Sequence, residues 1–153
     1  MLKSSDIGTI KKTVKEFFEK TTFDVEVEIL PEKEGTVPIT LKTEEPQILI
    51  GEGGQTLTEI QHLLKAILRR KIAEIFYIDL DINDYKKKKK EYLKELAIST
   101  ADEVALAKKQ KELPAMSAYE RRVIHMALAE RNDVITESIG EGIERRPVIK
   151  PRP

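Results

Sequence analysis

The glycine-rich segment Gly51–Gly54, with the sequence Gly-Glu-Gly-Gly, is the residue pattern in this chain with the clearest chemical use. A strand-like apolar run, Ile48–Ile50, precedes it, and a strongly periodic helix predicted from Gln55 to about Arg70 follows it. Where a glycine loop opens a helix, unpartnered backbone N–H groups and the positive end of the helix dipole lie together. Such a position suits a phosphate group.

Other uses of this loop are weaker or excluded. Glycines between a strand and a helix also form simple tight turns, and the sequence leaves that alternative open. A Walker loop is excluded because no Lys-Ser or Lys-Thr pair follows the glycines. A dinucleotide-binding loop is excluded because the glycine spacing is wrong and no second βαβ unit follows.

A second candidate site is basic and lies near residue 121. Ser117 and Glu120 have the spacing of a capping box, which predicts the start of a helix. On that helix Arg121 and His125 are four residues apart and therefore neighbours, and Arg122 is predicted on the same polar arc. The apolar residues fall on the opposite arc: Val123, Ile124 and Ala127.

Catalytic and metal-dependent chemistry are not expected. The chain has no cysteine, and its two histidines, His62 and His125, are far apart in sequence, so no zinc site is predicted and no cofactor is expected. No nucleophile has a base and an orienting group beside it. The lack of cysteine, of a signal-like start and of an apolar run of roughly 20 residues predicts a cytoplasmic protein without membrane insertion.

Charge is distributed unevenly although the net charge is zero. Residues 1–82 hold 11 Lys+Arg against 15 Asp+Glu, a balance of −4, and residues 83–153 hold 16 against 12, a balance of +4. Because binding to a phosphate backbone needs local cations and not a basic total, the second half is expected to attract nucleic acid. The lysine run 86–90 is either a solvated helix face or an arm that contacts the backbone.

The hydrophobic pattern predicts an α+β protein of two small domains, residues 1–82 and 83–153. In the first, helical spacing and then alternation predict a three-stranded sheet with helices on one face. The predicted elements are a helix over Ile7–Lys20 and strands over Phe23–Ile29, Val37–Leu41 and Ile75–Ile82. Pro38 suggests that its strand starts there or lies at an edge.

The second domain is predicted to begin with a long helix that could join the two domains. Asn83 or Asp84 is the predicted cap of this helix, which runs to about Lys111. After the capping-box helix, Val134–Ile139 and Ile143–Lys150 are predicted to form a β-hairpin around the glycines at 140 and 142.

Three blocks of this sequence, in this order, resemble one bacterial family. They are Leu49–Leu57 with its glycine loop, Tyr119–His125, and Thr136–Ser138 running into Arg145–Ile149. Together they resemble the Jag, or SpoIIIJ-associated, proteins, in which a type II KH domain is followed by a domain named for an Arg-x-x-x-His motif, written here R-3-H. The resemblance covers nearly the whole chain.

The resemblance implies single-stranded nucleic-acid binding by both domains. The residues it assigns to binding are Ile50, Gly51, Glu52, Gly53, Gly54, Gln55, Arg121, Arg122, His125, Arg145 and Arg146. Two positions depart from the family pattern. Glu52 and Gly53 stand where the family often carries a base, and Pro147 stands where it usually has an apolar strand residue, which predicts an edge strand there.

We therefore expect a non-enzymatic protein that binds single-stranded RNA, or single-stranded DNA, through the KH loop and the R-3-H face. The KH groove would hold about four nucleotides on an apolar floor of Ile48, Ile50, Leu57 and Ile60. The resemblance further implies a post-transcriptional or cell-envelope-related regulator and a small single-KH-domain protein partner. The alternative is a protein-interaction module whose KH half docks a protein instead of RNA. An RNA-processing enzyme would need acid, base or metal-binding residues that the sequence lacks.

Overall fold

The computed structural model describes all residues from Met1 to Pro153, and they form two compact units, Met1–Lys86 and Lys87–Pro153. Each unit contains one three-stranded sheet and its own hydrophobic core. The α+β class with two small domains is therefore confirmed.

The first unit has the order helix, two strands, two helices and a strand. These are α1 Ser4–Glu19, β1 Glu26–Ile29, β2 Thr36–Lys42, α2 Pro46–Ile50, α3 Gln55–Arg69 and β3 Tyr77–Ile82. A single 3₁₀ turn, Glu52–Gly54, joins α2 to α3. The sheet order is β1-β2-β3, with β1 antiparallel and β3 parallel to the central strand β2.

Alternating residues of the strands carry the core of this unit on one face of the sheet. The buried strand residues are Val37, Ile39, Leu41, Ile78, Leu80 and Ile82, and they pack with Ile10, Val14, Leu57, Leu64 and Leu68 from α1 and α3. Burial of each such side chain contributes about 1.5–3 kcal/mol. The predicted three-stranded sheet with helices on one face is confirmed, and this packing fixes the start of α3, where the glycine loop ends.

The second unit begins within a long helix. Its elements are α4 Tyr85–Ala107, β4 Lys111–Glu112, α5 Ala118–Leu128, β5 Val134–Ile139 and β6 Arg146–Pro151. The sheet is antiparallel in the order β4-β6-β5, so the predicted hairpin of β5 and β6 is confirmed. The alanines of α4 at 97 and 101 are fully buried among Leu93, Ile124 and Ile149, and their small side chains let α4 pack closely on this core.

Pro38 and Pro147 both lie on central strands, so the predictions of edge or starting positions were wrong. The backbone N–H of Leu30 donates to the carbonyl of Pro38 at 2.9 Å, and that of Leu113 donates to the carbonyl of Pro147 at 2.9 Å. Each proline thus faces the residue that directly follows a short neighbouring strand, β1 or β4. The hydrogen bond that the proline cannot donate would lie just beyond the end of β1 or β4. The ladder within those strands is therefore intact, and proline is tolerated at this position.

The cap of α4 also differs from the prediction of Asn83 or Asp84. The carboxylate of Asp81 accepts from the backbone N–H of Lys86 at 3.0 Å, in the first turn of α4. Asn83, with φ near 50°, instead holds Thr43 through two hydrogen bonds of 3.0 and 2.8 Å. The helix ends at Ala107, four residues earlier than predicted, and Lys108 follows it with φ of 59°.

Candidate nucleic-acid interfaces

The run before the glycine loop is a one-turn helix, α2, and not the predicted strand. Pro46 lies in its first turn, where a fixed φ and a missing N–H favour a helix start. The consecutive residues Leu49 and Ile50 are both buried, whereas Ile48 is 53% exposed. Two adjacent buried side chains fit a helical turn and not the alternation of a half-buried strand.

Two glycines of the loop, Gly51 and Gly53, differ in how much space a side chain would have. Gly51 has φ of 73°, and a Cβ on it would lie 2.2 Å from the hydroxyl oxygen of Thr56, so a side chain there would clash with the start of α3. Gly53 has φ of 60°, yet a Cβ on it would meet nothing within 4 Å. Gly51 is therefore needed for folding of the loop, and Gly53 leaves an exposed stretch of backbone open on one side.

The helix that the loop opens has no side-chain cap. Gly54 is the N-cap residue of α3, with φ of 81°, and no side chain accepts a hydrogen bond from the first turn of the helix. The amide of Gln55, an exposed residue, donates instead to Glu59 at 3.1 Å. Glu52 is also exposed and contributes a negative charge. The donors that this loop can offer to an anion are therefore backbone N–H groups at the positive end of α3.

Apolar side chains lie beside this loop at graded depth. Ile50 and Leu57 are buried, Ile60 is half-buried, and Ile48 is exposed. Of the four residues expected to form a groove floor, Ile48 thus offers the largest apolar surface, and the two buried ones belong to the core.

In the second unit, the predicted pair Arg121 and His125 is brought together with strand β5. The two residues line a pocket of about 240 Å³, whose other lining residues are Thr136, Glu137, Ser138 and Pro147. Nη1 of Arg121 donates to the carbonyl oxygen of Met116 at 2.7 Å, and Nδ1 of His125 is hydrogen-bonded to the hydroxyl of Thr136. Two side chains on successive turns of α5 are therefore each fixed by a partner.

The capping box of α5 is confirmed and sets the start of this helix. The backbone N–H of Glu120 donates to the Ser117 hydroxyl at 3.2 Å, and the backbone N–H of Ser117 donates to the Glu120 carboxylate at 2.9 Å. Thr136 and Ser138 were not predicted as site residues. Their alternation along β5 was the available signal, since residues two apart on a strand point to the same side.

Arg122 does not line this pocket. It lines a separate groove of about 490 Å³ between α4 and α5, together with Lys90, Lys94 and Met126. Adjacent residues on a helix are rotated by about 100°, so Arg121 and Arg122 meet different neighbours. The shared polar arc predicted for them is divided by the packing of α5 against α4 on one side and β5 on the other.

Arg145 and Arg146 are engaged within the fold. Nη1 of Arg145 donates to the carbonyl of Gly140 at 2.8 Å, which closes the connection between β5 and β6. Nε of Arg146 donates to Glu112 on β4 at 2.8 Å. Both arginines contribute positive charge to this part of the unit while they hold its sheet together.

Arg131 forms an ion cluster with two carboxylates, which the sequence pattern did not indicate. Arg131 donates to Asp133 and, at 2.6 Å, to Asp102 on α4. Its side-chain hydrogen bonds to these carboxylates raise the pKa of Arg131 above its usual range, and the hydrogen bond to Arg131 lowers the pKa of Asp133. This cluster joins α4 to the segment between α5 and β5 and lies outside the pocket of Arg121 and His125. No group of three His, Cys, Asp or Glu side chains is placed to hold a metal ion.

The fold agrees with comparisons to known proteins. The chain belongs to the KH domain family, and its KH domain, matched over residues 7–91, is followed by an R-3-H domain matched over residues 91–151. That combination and order of domains is the one found in the Jag family. No helix of the chain is both long enough and apolar enough to cross a membrane.

The chain is similar to curated proteins named RNA-binding protein KhpB. It is 36% identical to the one from Clostridium symbiosum over 126 residues, which cover 82% of this chain and 56% of that protein. It is also 36% identical to the one from Bacillus subtilis (strain 168) over 120 residues, or 77% of this chain and 58% of that protein. The chain thus spans a little over half the length of these relatives.

Proposed function

We propose that this chain binds single-stranded RNA without catalysing a reaction, through one surface on each unit. The observation that carries the proposal is the open backbone at Gly53 in front of a helix without a side-chain cap, within the region that matches the KH domain. The RNA-binding names of the relatives support the choice of ligand. No arrangement of nucleophile, base and orienting group accompanies either surface.

At the KH loop, the phosphate backbone approaches Gly53 from its open side, and its oxygens accept hydrogen bonds from backbone N–H groups at the start of α3. A KH loop of this type holds about four nucleotides. The exposed side chain of Ile48 supports the adjacent bases through apolar contact. Glu52 opposes the binding of phosphate, so this surface is a weak anion site and contributes mainly by shape and apolar contact.

At the R-3-H pocket, Arg121 supplies the positive charge. Because one of its nitrogens is fixed by the carbonyl of Met116, its guanidinium is oriented before the ligand arrives, and its other N–H groups can contact a phosphate or its plane can stack on a base. His125 lies one turn further along α5 and adds a second donor. Glu137, which also lines the pocket, is paired with Lys150 at 2.7 Å, so its negative charge is partly offset.

The second candidate function is a protein-docking KH half, and two observations favour it. Glu52 and the acidic balance of residues 1–82 disfavour RNA, and Ile48 and Leu63 expose apolar side chains on this unit. Addition of a partner strand at the free edge of β3 is not the expected mode, since the Leu80 N–H on that edge already donates to Gln61 at 3.0 Å.

A salt titration separates the two functions. The affinity for a fluorescein-labelled single-stranded oligoribonucleotide of about eight nucleotides is measured by anisotropy. The KCl concentration is varied from about 50 to about 300 mM, the range over which binding to a phosphate backbone weakens strongly. If the chain binds the phosphate backbone, the logarithm of the affinity falls linearly with the logarithm of the salt concentration. This slope becomes steeper with the number of phosphates contacted. A flat, weak response in the whole chain would reject RNA as the ligand and favour protein docking.

The proposal also includes a cellular role and a protein partner. We expect the chain to act on RNA in the cytoplasm as a post-transcriptional or cell-envelope-related regulator, with a small single-KH-domain protein as a partner. Single-stranded DNA is the alternative nucleic acid for the second unit. Crosslinking to RNA in cells, followed by sequencing of the bound fragments, tests both the ligand and the process.

A further inference from the structure

The groove between α4 and α5 is a second surface of the R-3-H unit that RNA binding does not require. Along α4 it is lined by Lys90, Lys94 and Ile98, which are four residues apart and form one ridge. Along α5 it is lined by Tyr119, Arg122, Val123, Met126 and Ala127. Its length corresponds to eight residues of helix, or about 12 Å.

The two helices run in the same direction on either side of this groove. Lys89 on α4 lies 4.0 Å from Glu120 near the start of α5, and Asp102 on α4 lies 2.6 Å from Arg131, just after the end of α5. These two ion pairs fasten the helices at both ends. The groove therefore lies between two helices that are linked near both of its ends.

Three apolar side chains of the groove are exposed to solvent. Ile98 is 49% exposed, Tyr119 60% and Met126 62%. Single exposed apolar residues need no explanation, but three that line one groove form a shared apolar surface on which a partner could pack. Methionine adapts its shape to different partners, which suits a docking surface.

The charged residues that line the groove are all positive. Lys90, Lys94 and Arg122 form no ion pair or side-chain hydrogen bond within the chain, whereas Arg121, Arg131, Arg145 and Arg146 each have a partner within the fold. An apolar floor with a rim of three free cations is complementary to a ligand that is apolar on one side and acidic on its edges.

We propose that this groove docks an acidic amphipathic helix from a protein partner. A helix that lies between two parallel ridges inserts side chains at positions i, i+3, i+4 and i+7, and about two turns of it match the length of the groove. A protein helix is favoured over single-stranded nucleic acid because four of the groove residues are aliphatic or thioether side chains, and one ring, Tyr119, is available for stacking on a base.

The test uses the whole chain and a defined probe. The probe is a fluorescein-labelled, stapled 15-residue helix with leucines at i, i+3, i+4 and i+7 and glutamates on its polar face, and its control has the same composition in a scrambled order. We expect the helix to bind at least about tenfold more tightly than the scrambled peptide, a difference of about 1.4 kcal/mol.

Two groove variants and one matched variant decide the location. Arg122→Glu and Met126→Glu should each weaken binding of the helix about tenfold or more. Lys109→Glu makes the same charge change as Arg122→Glu at an exposed lysine outside the groove and should change it less than about twofold. Thermal melts of all three variants establish that they remain folded.

RNA binding by the same variants makes the outcome independent of the proposed function. Met126→Glu should retain about as much affinity for the labelled oligoribonucleotide as Lys109→Glu does, and Arg121→Ala should lose RNA affinity while it retains the helix. Equal binding of the helix and the scrambled peptide, or no binding of either, overturns the proposal. A loss of RNA affinity in the groove variants without helix binding would identify the groove as part of the nucleic-acid site instead.

Discussion

The imidazole of His125 on α5 is hydrogen-bonded through Nδ1 to the hydroxyl of Thr136 on β5. The bond connects the helix of the R-3-H motif to the adjacent sheet and fixes the plane of the ring. It also leaves Nε2 as the nitrogen that remains for a ligand in the pocket. A motif defined by two residues on one helix thus depends on a third residue, 11 positions later on a strand.

Removal of this hydroxyl should weaken RNA binding while the fold is retained. Thr136→Val keeps the shape of the side chain and its preference for a strand, but the His125 ring loses its partner. Because a typical hydrogen bond contributes about 0.5–1.5 kcal/mol, we expect an affinity loss of about two- to tenfold. The measurement is anisotropy with the labelled oligoribonucleotide. Thr136→Ser retains a hydroxyl and is the matched control; equal losses in both variants would contradict the role of the bond.

The parts of this site that the sequence predicted are those that depend on neighbours along the chain. The capping box of Ser117 and Glu120 and the four-residue spacing of Arg121 and His125 belong to one helix, so local rules are sufficient. The separation of Arg122 from Arg121 depends instead on which element packs on each side of α5. No local pattern contains that information.

The order of the strands and the presence of the shortest strand could not be predicted from the sequence, for similar reasons. β4 consists of two exposed residues, Lys111 and Glu112, and therefore has no hydrophobic alternation to detect. The central positions of Pro38 and Pro147 depend on where the neighbouring strand ends. The prediction of a strand before the glycine loop was wrong, because three apolar residues in a row fit either a strand or a helix.

The open backbone at Gly53 predicts a charge-specific loss of RNA binding. Gly53→Asp adds a negative charge where phosphate should approach, and Gly53→Asn adds a side chain of the same size without charge. Both residues tolerate positive φ better than other side chains do, so the strain at φ of 60° is shared by the two variants. We expect similar thermal stability for both and weaker RNA binding for aspartate. Equal RNA affinity of aspartate and asparagine would remove this loop from the phosphate contact.

Glu52 offers the opposite change at the same loop. Glu52→Lys replaces a repulsive charge by an attractive one, so RNA affinity should increase and the logarithmic salt slope should become steeper by about one unit. Glu52→Gln, which only removes the charge, should give an intermediate affinity. A salt titration of the three proteins measures both quantities. A lower affinity of Glu52→Lys would show that the carboxylate itself contacts the ligand.

Arg121 and His125 should contribute unequally to RNA binding. Arginine is always charged and can contact a phosphate through two parallel N–H groups, whereas one nitrogen of the His125 ring is already bonded to Thr136. We expect Arg121→Ala to weaken binding of single-stranded RNA more than His125→Ala does. Anisotropy with the labelled oligoribonucleotide measures this, with thermal melts as the control for folding. Loss of folding in both variants would assign the pair a structural role.

The last prediction concerns the ion cluster that joins α4 to the segment after α5. The hydrogen bond from Arg131 lowers the pKa of Asp133 in the folded state, so the folded protein binds a proton at Asp133 less readily than the unfolded chain does. The stabilisation is therefore present above the ordinary aspartate pKa of about 3.9 and is lost as pH falls through the lower folded value. Asp133→Asn should lower the melting temperature at pH 7, and the difference from wild type should disappear at the acidic end of the range in which the protein stays folded. Glu130→Gln, a neighbouring carboxylate without an ion pair in the fold, is the control and should leave the melting temperature nearly unchanged at both pH values. A difference between Asp133→Asn and wild type that is independent of pH would mean that the asparagine disturbs packing, and that the charge of Asp133 does not stabilise the fold.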